Sequence, residues 1–211
     1  MAKVAAHQQY RLKDGTVVPG VTTPLNLLAK PALIPWAWEL GRQGIDWRKA
    51  RDKAADIGTI AHAMIEADIK GEKFDPSDYA PNDVDKAENA YLAWLQWKDN
   101  FHLKTIASER QLVSETYRFG GALDWVVKNG DAIWLVDFKS SKDIYEEMRY
   151  QLAAYEQLWN ENHPDQKISR CHIVRLGKED GSFSHHQFED LDREWGIFRH
   201  VLAIWQIKKG V

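Results

Sequence analysis

Residues 121–139 read GALDWVVKNGDAIWLVDFK and carry the strongest structural signal in the chain. Asn129-Gly130 is a favoured two-residue turn, and it lies between two segments rich in β-branched and aromatic residues. The pattern therefore predicts a β-hairpin. Because side chains alternate along a strand, pairing outward from this turn brings Asp124, Asp137 and Lys139 to one face of the ribbon.

The pairing predicts that Asp124 and Asp137 are diagonal neighbours, roughly 7–8 Å apart at the backbone, close enough to bind one cation. Charged groups at the end of a buried hairpin are costly to desolvate, and a hard cation such as Mg²⁺ offsets that cost. The alternative is a surface hairpin whose end Lys139 neutralises, since such ion pairs are common and weak. The opposite face is apolar and is predicted to be core: Leu123, Trp125, Val127, Trp134, Val136 and Phe138.

The segments around the hairpin predict an α/β layer architecture. From residue 49 onward, periodicity and turn signals give the order helix, helix, strand, strand, strand, helix, strand. The predicted helices cover 22–28, 36–43, 49–69, 83–101, 143–163 and 191–208, and the predicted strands cover 9–13, 16–18, 106–116, 119–127, 132–139, 168–176 and 182–188.

Composition excludes several classes of protein. No apolar run approaches the ~20 residues that span a bilayer, and the first residues are too polar for a signal peptide, so we expect a cytoplasmic protein without a membrane partner. Cys171 is the only cysteine, which excludes an intrachain disulfide and an iron–sulfur cluster. The chain has no G-x-x-x-x-G-K-[ST] phosphate loop, so no nucleotide cofactor is expected.

Charge is unevenly distributed along the chain. The net charge is -3, whereas residues 1–53 carry nine Lys and Arg against four Asp and Glu. This imbalance predicts a basic N-terminal face. The chain also has ten tryptophans, most of which we expect in the core. Any on the surface could serve base stacking or subunit contacts.

Several motifs occur in a fixed order around the hairpin. They are Gly58-Thr-Ile-Ala-His62-Ala-Met-Ile-Glu66, then Glu109 fifteen residues before Asp124, then Gly121-Ala-Leu-Asp124, Val136-Asp137-Phe138-Lys139-Ser140 and Gln151-Leu-Ala-Ala-Tyr155. In order and spacing they resemble the motifs of the PD-(D/E)XK nucleases, specifically the RecB-like and phage-type exonuclease branch. A weaker likeness in the N-terminal segment, residues 19–36, extends the resemblance to about residues 19–176.

The resemblance implies the restriction-endonuclease-like core of that superfamily, a central mixed β-sheet flanked by helices. The whole chain, 1–211, is then expected to form a single nuclease domain. Within it, 1–48 would be an N-terminal helical and hairpin extension, 49–176 the catalytic core, and 177–211 a C-terminal strand and helix. Relatives that hold an iron–sulfur cluster use four cysteines, so this chain does not belong to that subtype.

The resemblance also implies the metal ligands. Asp124 and Asp137 are expected at the centre, with the Phe138 backbone carbonyl beside them. His62 is expected as a further ligand; taken alone, it would read as an ordinary helix-face histidine paired with Glu66. Both Glu66 and Glu109 are expected either to bind the metal or to orient residues that do.

Three further residues are implied in catalysis. Lys139 is expected to orient or deprotonate the attacking water, or to stabilise the transition state, and electrostatic positioning is favoured because the two aspartates oppose a lower lysine pKa. Gln151 and Tyr155 lie one helical turn apart and are expected to hydrogen-bond the scissile phosphate or Lys139. The alternative places Tyr155 in the core with Gln151 at its edge.

The function that follows from the resemblance is a DNA nuclease that uses one or two Mg²⁺ or Mn²⁺ ions. We expect an exonuclease acting on linear double-stranded or single-stranded ends in recombination, repair or phage DNA processing, in the host cytoplasm if phage-encoded. A strand-annealing recombination protein is the expected partner. The alternatives are an endonuclease, a catalytically silent nucleic-acid-binding protein on the same fold, and a hydrolase of small phosphate esters.

Overall fold

A five-stranded mixed sheet lies at the centre of the computed structural model, which describes residues 9–210. The strand order is β3-β4-β5-β6-β7, in which β5 and β6 are parallel and the other neighbours antiparallel. The elements are β1 (Tyr10–Arg11), β2 (Val17–Val18), α1 (Thr22–Leu25), α2 (Leu33–Arg42), α3 (Trp47–Lys70), α4 (Pro81–Lys98), β3 (Lys104–Ser114), β4 (Phe119–Asn129), β5 (Ala132–Lys139), α5 (Glu146–Asn162), β6 (Arg170–Leu176), β7 (Phe183–Phe188) and α6 (Asp192–Lys209). The predicted mixed sheet flanked by helices is confirmed.

Helices cover both faces of the sheet. Alternation along β5 shows this, because Leu135 is buried with side chains of α5 and α6, whereas Trp134 and Val136 are buried with side chains of α3 and α4. Trp94 and Trp97 fill the second layer and are fully buried, as expected for tryptophan-rich core packing. The sheet is therefore held between two helical layers.

Local signals set the ends of the long helices. Asp46 caps α3 by accepting a hydrogen bond from the Arg48 backbone N–H at 2.9 Å, and Gly71 ends the helix with φ +70. Pro81 starts α4, where its missing N–H costs nothing. These signals explain why the predicted helix boundaries lie within a few residues of those observed.

The predicted hairpin register is wrong by two residues. Asn129 pairs with Ala132, so the loop consists of Gly130 and Asp131, with Gly130 at φ +61. A two-residue loop with glycine first is also a favoured hairpin turn. Because a shift of two residues preserves the face of each side chain, the predicted grouping of the two aspartates survives.

Residues 1–8 and residue 211, at the outer ends of the predicted extension and C-terminal part, lie outside the described residues. Within 9–210, no helix is long and apolar enough to cross a membrane.

Candidate functional site

The predicted site residues converge where β4 and β5 separate. The last paired residues of the two strands are Trp125 and Val136, and the next position on each strand is an aspartate, Asp124 or Asp137. The two aspartates therefore face each other across the fork instead of lying diagonally. Asp124 Oδ2 accepts a hydrogen bond from the Phe138 backbone N–H at 2.8 Å, so this side chain supplies the acceptor that a continuing strand would have given.

The ladder between β3 and β4 is also interrupted at this point. Ser108 pairs with Trp125 and Arg110 pairs with Leu123, but Glu109 between them has a left-handed backbone at φ +46. Such a conformation costs a residue other than glycine about 1–3 kcal/mol and is concentrated at functional sites. Leu123 correspondingly packs in the layer of α5 and α6, so its predicted place on the face of Trp125 is wrong.

Glycine allows α3 to approach the end of β5 closely. A Cβ at Gly58 would lie 2.6 Å from Ser140 Oγ, so no larger residue fits here without a shift. One turn further along α3, His62 Nδ1 lies 3.8 Å from Asp124 Oδ2, and the imidazole meets the Phe138 ring edge-on. His62, Glu109 and Asp124 each offer one ligand atom, and these three atoms lie within 4.8 Å of one another.

The remaining predicted ligands lie around this group. Asp137 is 1% exposed and pairs with Lys139, and its charge acts on Glu109. Glu66 forms an ion pair with Lys70 one turn along α3, so its carboxylate is outside the three-residue group. The Phe138 N–H donates to Asp124, and Phe138 directly follows Asp137 in the chain.

Lys139 is held by two acceptors on different elements. Its Nζ lies 2.5 Å from Asp137 Oδ2 and 3.0 Å from Gln151 Oε1 on α5. Gln151 Nε2 in turn donates to Tyr155 Oη at 2.7 Å. Tyr155 is buried in the core, as in the alternative arrangement, and its hydroxyl contacts Gln151, while Gln151 is the residue that contacts Lys139.

Burial and mutual repulsion disfavour the charged form of the carboxylates gathered in the site. Burial, together with the neighbouring charge of Asp124, raises the pKa of Glu109 to about 8. Burial likewise raises the pKa of Asp137 to about 6, against the lowering effect of Lys139. A divalent cation would relieve this repulsion, and two carboxylate oxygens with one imidazole nitrogen are ligands that such cations accept. The donor set therefore fits a divalent metal.

Tyr10 on β1 lies beside the site, and sequence reasoning missed it. Its ring covers Gly120, where a Cβ would lie 2.7 Å from Tyr10 Cδ1, and it also contacts the position of Gly20. Burial raises the pKa of Tyr10, and the charge of Glu109 adds to this effect. The glycine pair Gly120-Gly121 was the one sequence signal that aromatic rings pack closely here.

The family model of the PD-(D/E)XK nuclease superfamily matches residues 35–202. Similar solved structures include a proposed exonuclease from Eubacterium rectale, with 12% identity over 75% of this chain and 68% of that chain and a TM-score of 0.46. Another is an alkaline exonuclease from Laribacter hongkongensis, with 12% identity over 74% of this chain and 84% of that chain and a TM-score of 0.42. No curated protein shows a significant match.

Proposed function

The chain belongs to the PD-(D/E)XK nuclease superfamily, whose model covers most of its length, and we propose that it is a divalent-metal-dependent deoxyribonuclease. The family match confirms the resemblance that the ordered motifs indicated. Nuclease chemistry is thus a property of the family, whereas the DNA substrate, the metal and the residue roles are our proposals. We also propose that residues 1–211 act as a single nuclease domain.

The convergence of His62, Glu109 and Asp124 within 4.8 Å, beside the buried Asp137, is the observation that carries the proposal. Divalent cations bound there would supply an activated water and neutralise charge on the phosphate. Asp137 and the Phe138 carbonyl complete the proposed ligand set.

Glu66 is proposed to orient the ligands rather than to bind the metal. Its carboxylate is already engaged by Lys70, while its charge still acts on Glu109. A nitrogen ligand from His62 shifts metal preference from Mg²⁺ toward Mn²⁺, so we expect activity with both ions and more with Mn²⁺.

Lys139 is proposed to position the attacking water and to stabilise negative charge on the phosphate. An ammonium group has three donors, and Asp137 and Gln151 accept from two directions, so the third can reach the substrate. Gln151 and Tyr155 act through Lys139 and are therefore positioning residues.

We further propose that the substrate is the end of linear DNA, in recombination, repair or phage DNA processing, with a strand-annealing protein as partner. The order of the motifs supports this finer assignment, since the site geometry does not separate exonuclease from endonuclease. A catalytically silent binding protein on the same fold is disfavoured, because folding explains the acceptor at Asp124 but gives no reason to keep the buried Asp137 and the half-buried Glu109 beside it.

The test is digestion of end-labelled linear duplex beside a covalently closed circle, each with Mg²⁺, Mn²⁺ or EDTA. We expect metal-dependent loss of the linear DNA alone, and no loss with Asp124→Asn. The matched control is Asp131→Asn, which removes an exposed carboxylate from the turn of the same hairpin. Cutting of the circle would identify an endonuclease, and an intact linear substrate in both metals would overturn the proposal.

A further inference from the structure

Helix α2 buries none of its ten residues. Ile34 is 74% exposed and Trp38 is 63% exposed, although both are large apolar side chains. An isolated helix of this length is marginal in water, because most helical stability comes from packing an apolar face. An apolar helix surface of this kind marks a place where something else binds.

Arginines surround the tryptophans of this region. The Arg42 guanidinium lies 4.9 Å from the ring centroid of Trp38, and those of Arg48 and Arg51 lie 5.2 and 5.4 Å from the ring of Trp47. Residues 30–53 carry six Lys and Arg against three Asp and Glu in a chain of net charge -3. The ion pairs of Arg42 with Glu39 and of Arg51 with Asp52 are exposed, so they compete weakly with a phosphate.

The start of α3 connects this surface to the candidate site. Arg51, Gly58 and His62 are spaced by seven and four residues, which places them on one face of the helix. Gly58 fixes that face against Ser140 at the end of β5. The eleven residues from Arg51 to His62 correspond to a rise of about 16 Å, the length of about five nucleotides when a strand is stacked as in a duplex at ~3.4 Å each.

We propose that α2 and the first turns of α3 bind the single-stranded DNA that adjoins the cleaved bond, with Trp38 stacking a base and Arg42, Arg48 and Arg51 contacting phosphates. The combination of exposed aromatic rings with a line of cations is what single strands require, because every base has a face that can stack. A second copy of the chain fits less well, since a two-fold interface would bring the same cations together. The inference rests on the proposed function, which supplies the cleaved bond.

The test measures binding of fluorescein-labelled dT20, dT4 and a 20-base-pair duplex by anisotropy in EDTA. The variant Trp38→Ala/Arg42→Gln is expected to bind dT20 at least about tenfold more weakly, with a shallower salt dependence. The advantage of dT20 over dT4 should shrink, and the loss on the duplex should be smaller because its bases are already stacked. Because Trp38 and Arg42 are both exposed and α2 has no buried residue, the variant is expected to keep the wild-type melting temperature.

The control variant is Ile207→Ala/Lys208→Gln, which changes another exposed pair of apolar and cationic residues, at the end of α6. It should bind dT20 like the wild type. Unchanged dT20 binding by Trp38→Ala/Arg42→Gln would overturn the inference, and so would a change in its oligomeric mass by light scattering without a change in binding. If the wild type cleaves no DNA but Trp38→Ala/Arg42→Gln still loses dT20 binding, the binding surface is supported and the proposed nuclease activity is refuted.

Discussion

Replacing Gly121 by alanine should destabilise the protein and slow cleavage. A Cβ at this position would lie 2.7 Å from Tyr155 Cε1 and 3.1 Å from Leu158 Cδ1, well inside the ~3.5–4.0 Å of an ordinary carbon contact. Tyr155 and Leu158 are both buried, so neither can move into solvent. The added methyl therefore has to displace the ring of Tyr155.

Two opposing contributions set the size of the effect. Overpacking a core costs about 1–3 kcal/mol. Removing a glycine from a strand returns about 0.5–1 kcal/mol through the unfolded chain. We expect a net loss of up to about 2 kcal/mol, which for a chain of this size lowers the melting temperature by about 4–8 °C. Cleavage should slow as well, because Tyr155 holds Gln151 and Gln151 holds Lys139.

The same substitution elsewhere provides the control. Gly196 lies in α6, and a Cβ there would meet nothing within 4 Å. Gly196→Ala should therefore stabilise the protein by about 0.5–1 kcal/mol with unchanged cleavage. Urea unfolding and single-turnover cleavage at saturating Mn²⁺ measure both variants. A Gly121→Ala protein as stable and active as the Gly196→Ala protein would refute the reasoning.

The stability of the protein should also respond to substitution of Asp124, to Mn²⁺ and to the protonation of His172. Asp124→Ala should lower the free energy of unfolding in urea by about 1–3 kcal/mol, because it leaves the buried Phe138 N–H without an acceptor. Asp124→Asn keeps an acceptor and should cost little, so equal stabilities of the two variants would contradict this. Mn²⁺ at a hundredfold excess over its dissociation constant should add about 2.7 kcal/mol, a rise of about 5–10 °C in scanning calorimetry, and the rise should be absent in Asp124→Asn. His172, whose Nδ1 lies 2.7 Å from His185 Nε2, has its pKa lowered to about 3 by burial, so its contribution to stability is complete above pH 6.5 and is lost as pH falls. The free energy of unfolding should therefore fall between pH 7 and 5 by about 2 kcal/mol more in the wild type than in His172→Phe, and parallel profiles would contradict this.

The elements were predictable because their signals are local. Strand β5 was predicted at its observed bounds, Ala132–Lys139, since alternation and turn residues bracket it closely. The turn was not, because Asn129-Gly130-Asp131 contains two overlapping two-residue loops and the choice between them depends on pairing along the whole hairpin. The predicted grouping of the site residues is unaffected by this error, because only a shift by an odd number of residues moves a side chain to the other face.

The parts of the site that the sequence did not predict depend on contacts between distant segments. Tyr10 reaches the site only because Gly20 and Gly120, a hundred positions apart, leave room for its ring. Nothing local distinguishes Tyr10 from any other tyrosine in a short hairpin. The engagement of Glu66 by Lys70 is the opposite case, since an i,i+4 pair of opposite charge is visible in the sequence and predicts that Glu66 has a competitor for any metal.

The fork between β4 and β5 explains why the charged groups gather where they do. Inside the sheet, backbone groups satisfy one another and leave no acceptor to be supplied by a side chain. Beyond Trp125 and Val136 the ladder ends, so the Phe138 N–H needs an acceptor, and Asp124 provides it. That hydrogen bond holds Asp124 Oδ2, the same oxygen that lies 3.8 Å from His62 Nδ1, in the group that also includes Glu109. The same break in pairing therefore requires an acceptor for folding and holds the Asp124 carboxylate where it can bind a cation, and Glu109 on the neighbouring strand β3, with its left-handed backbone, supplies the second carboxylate of the group.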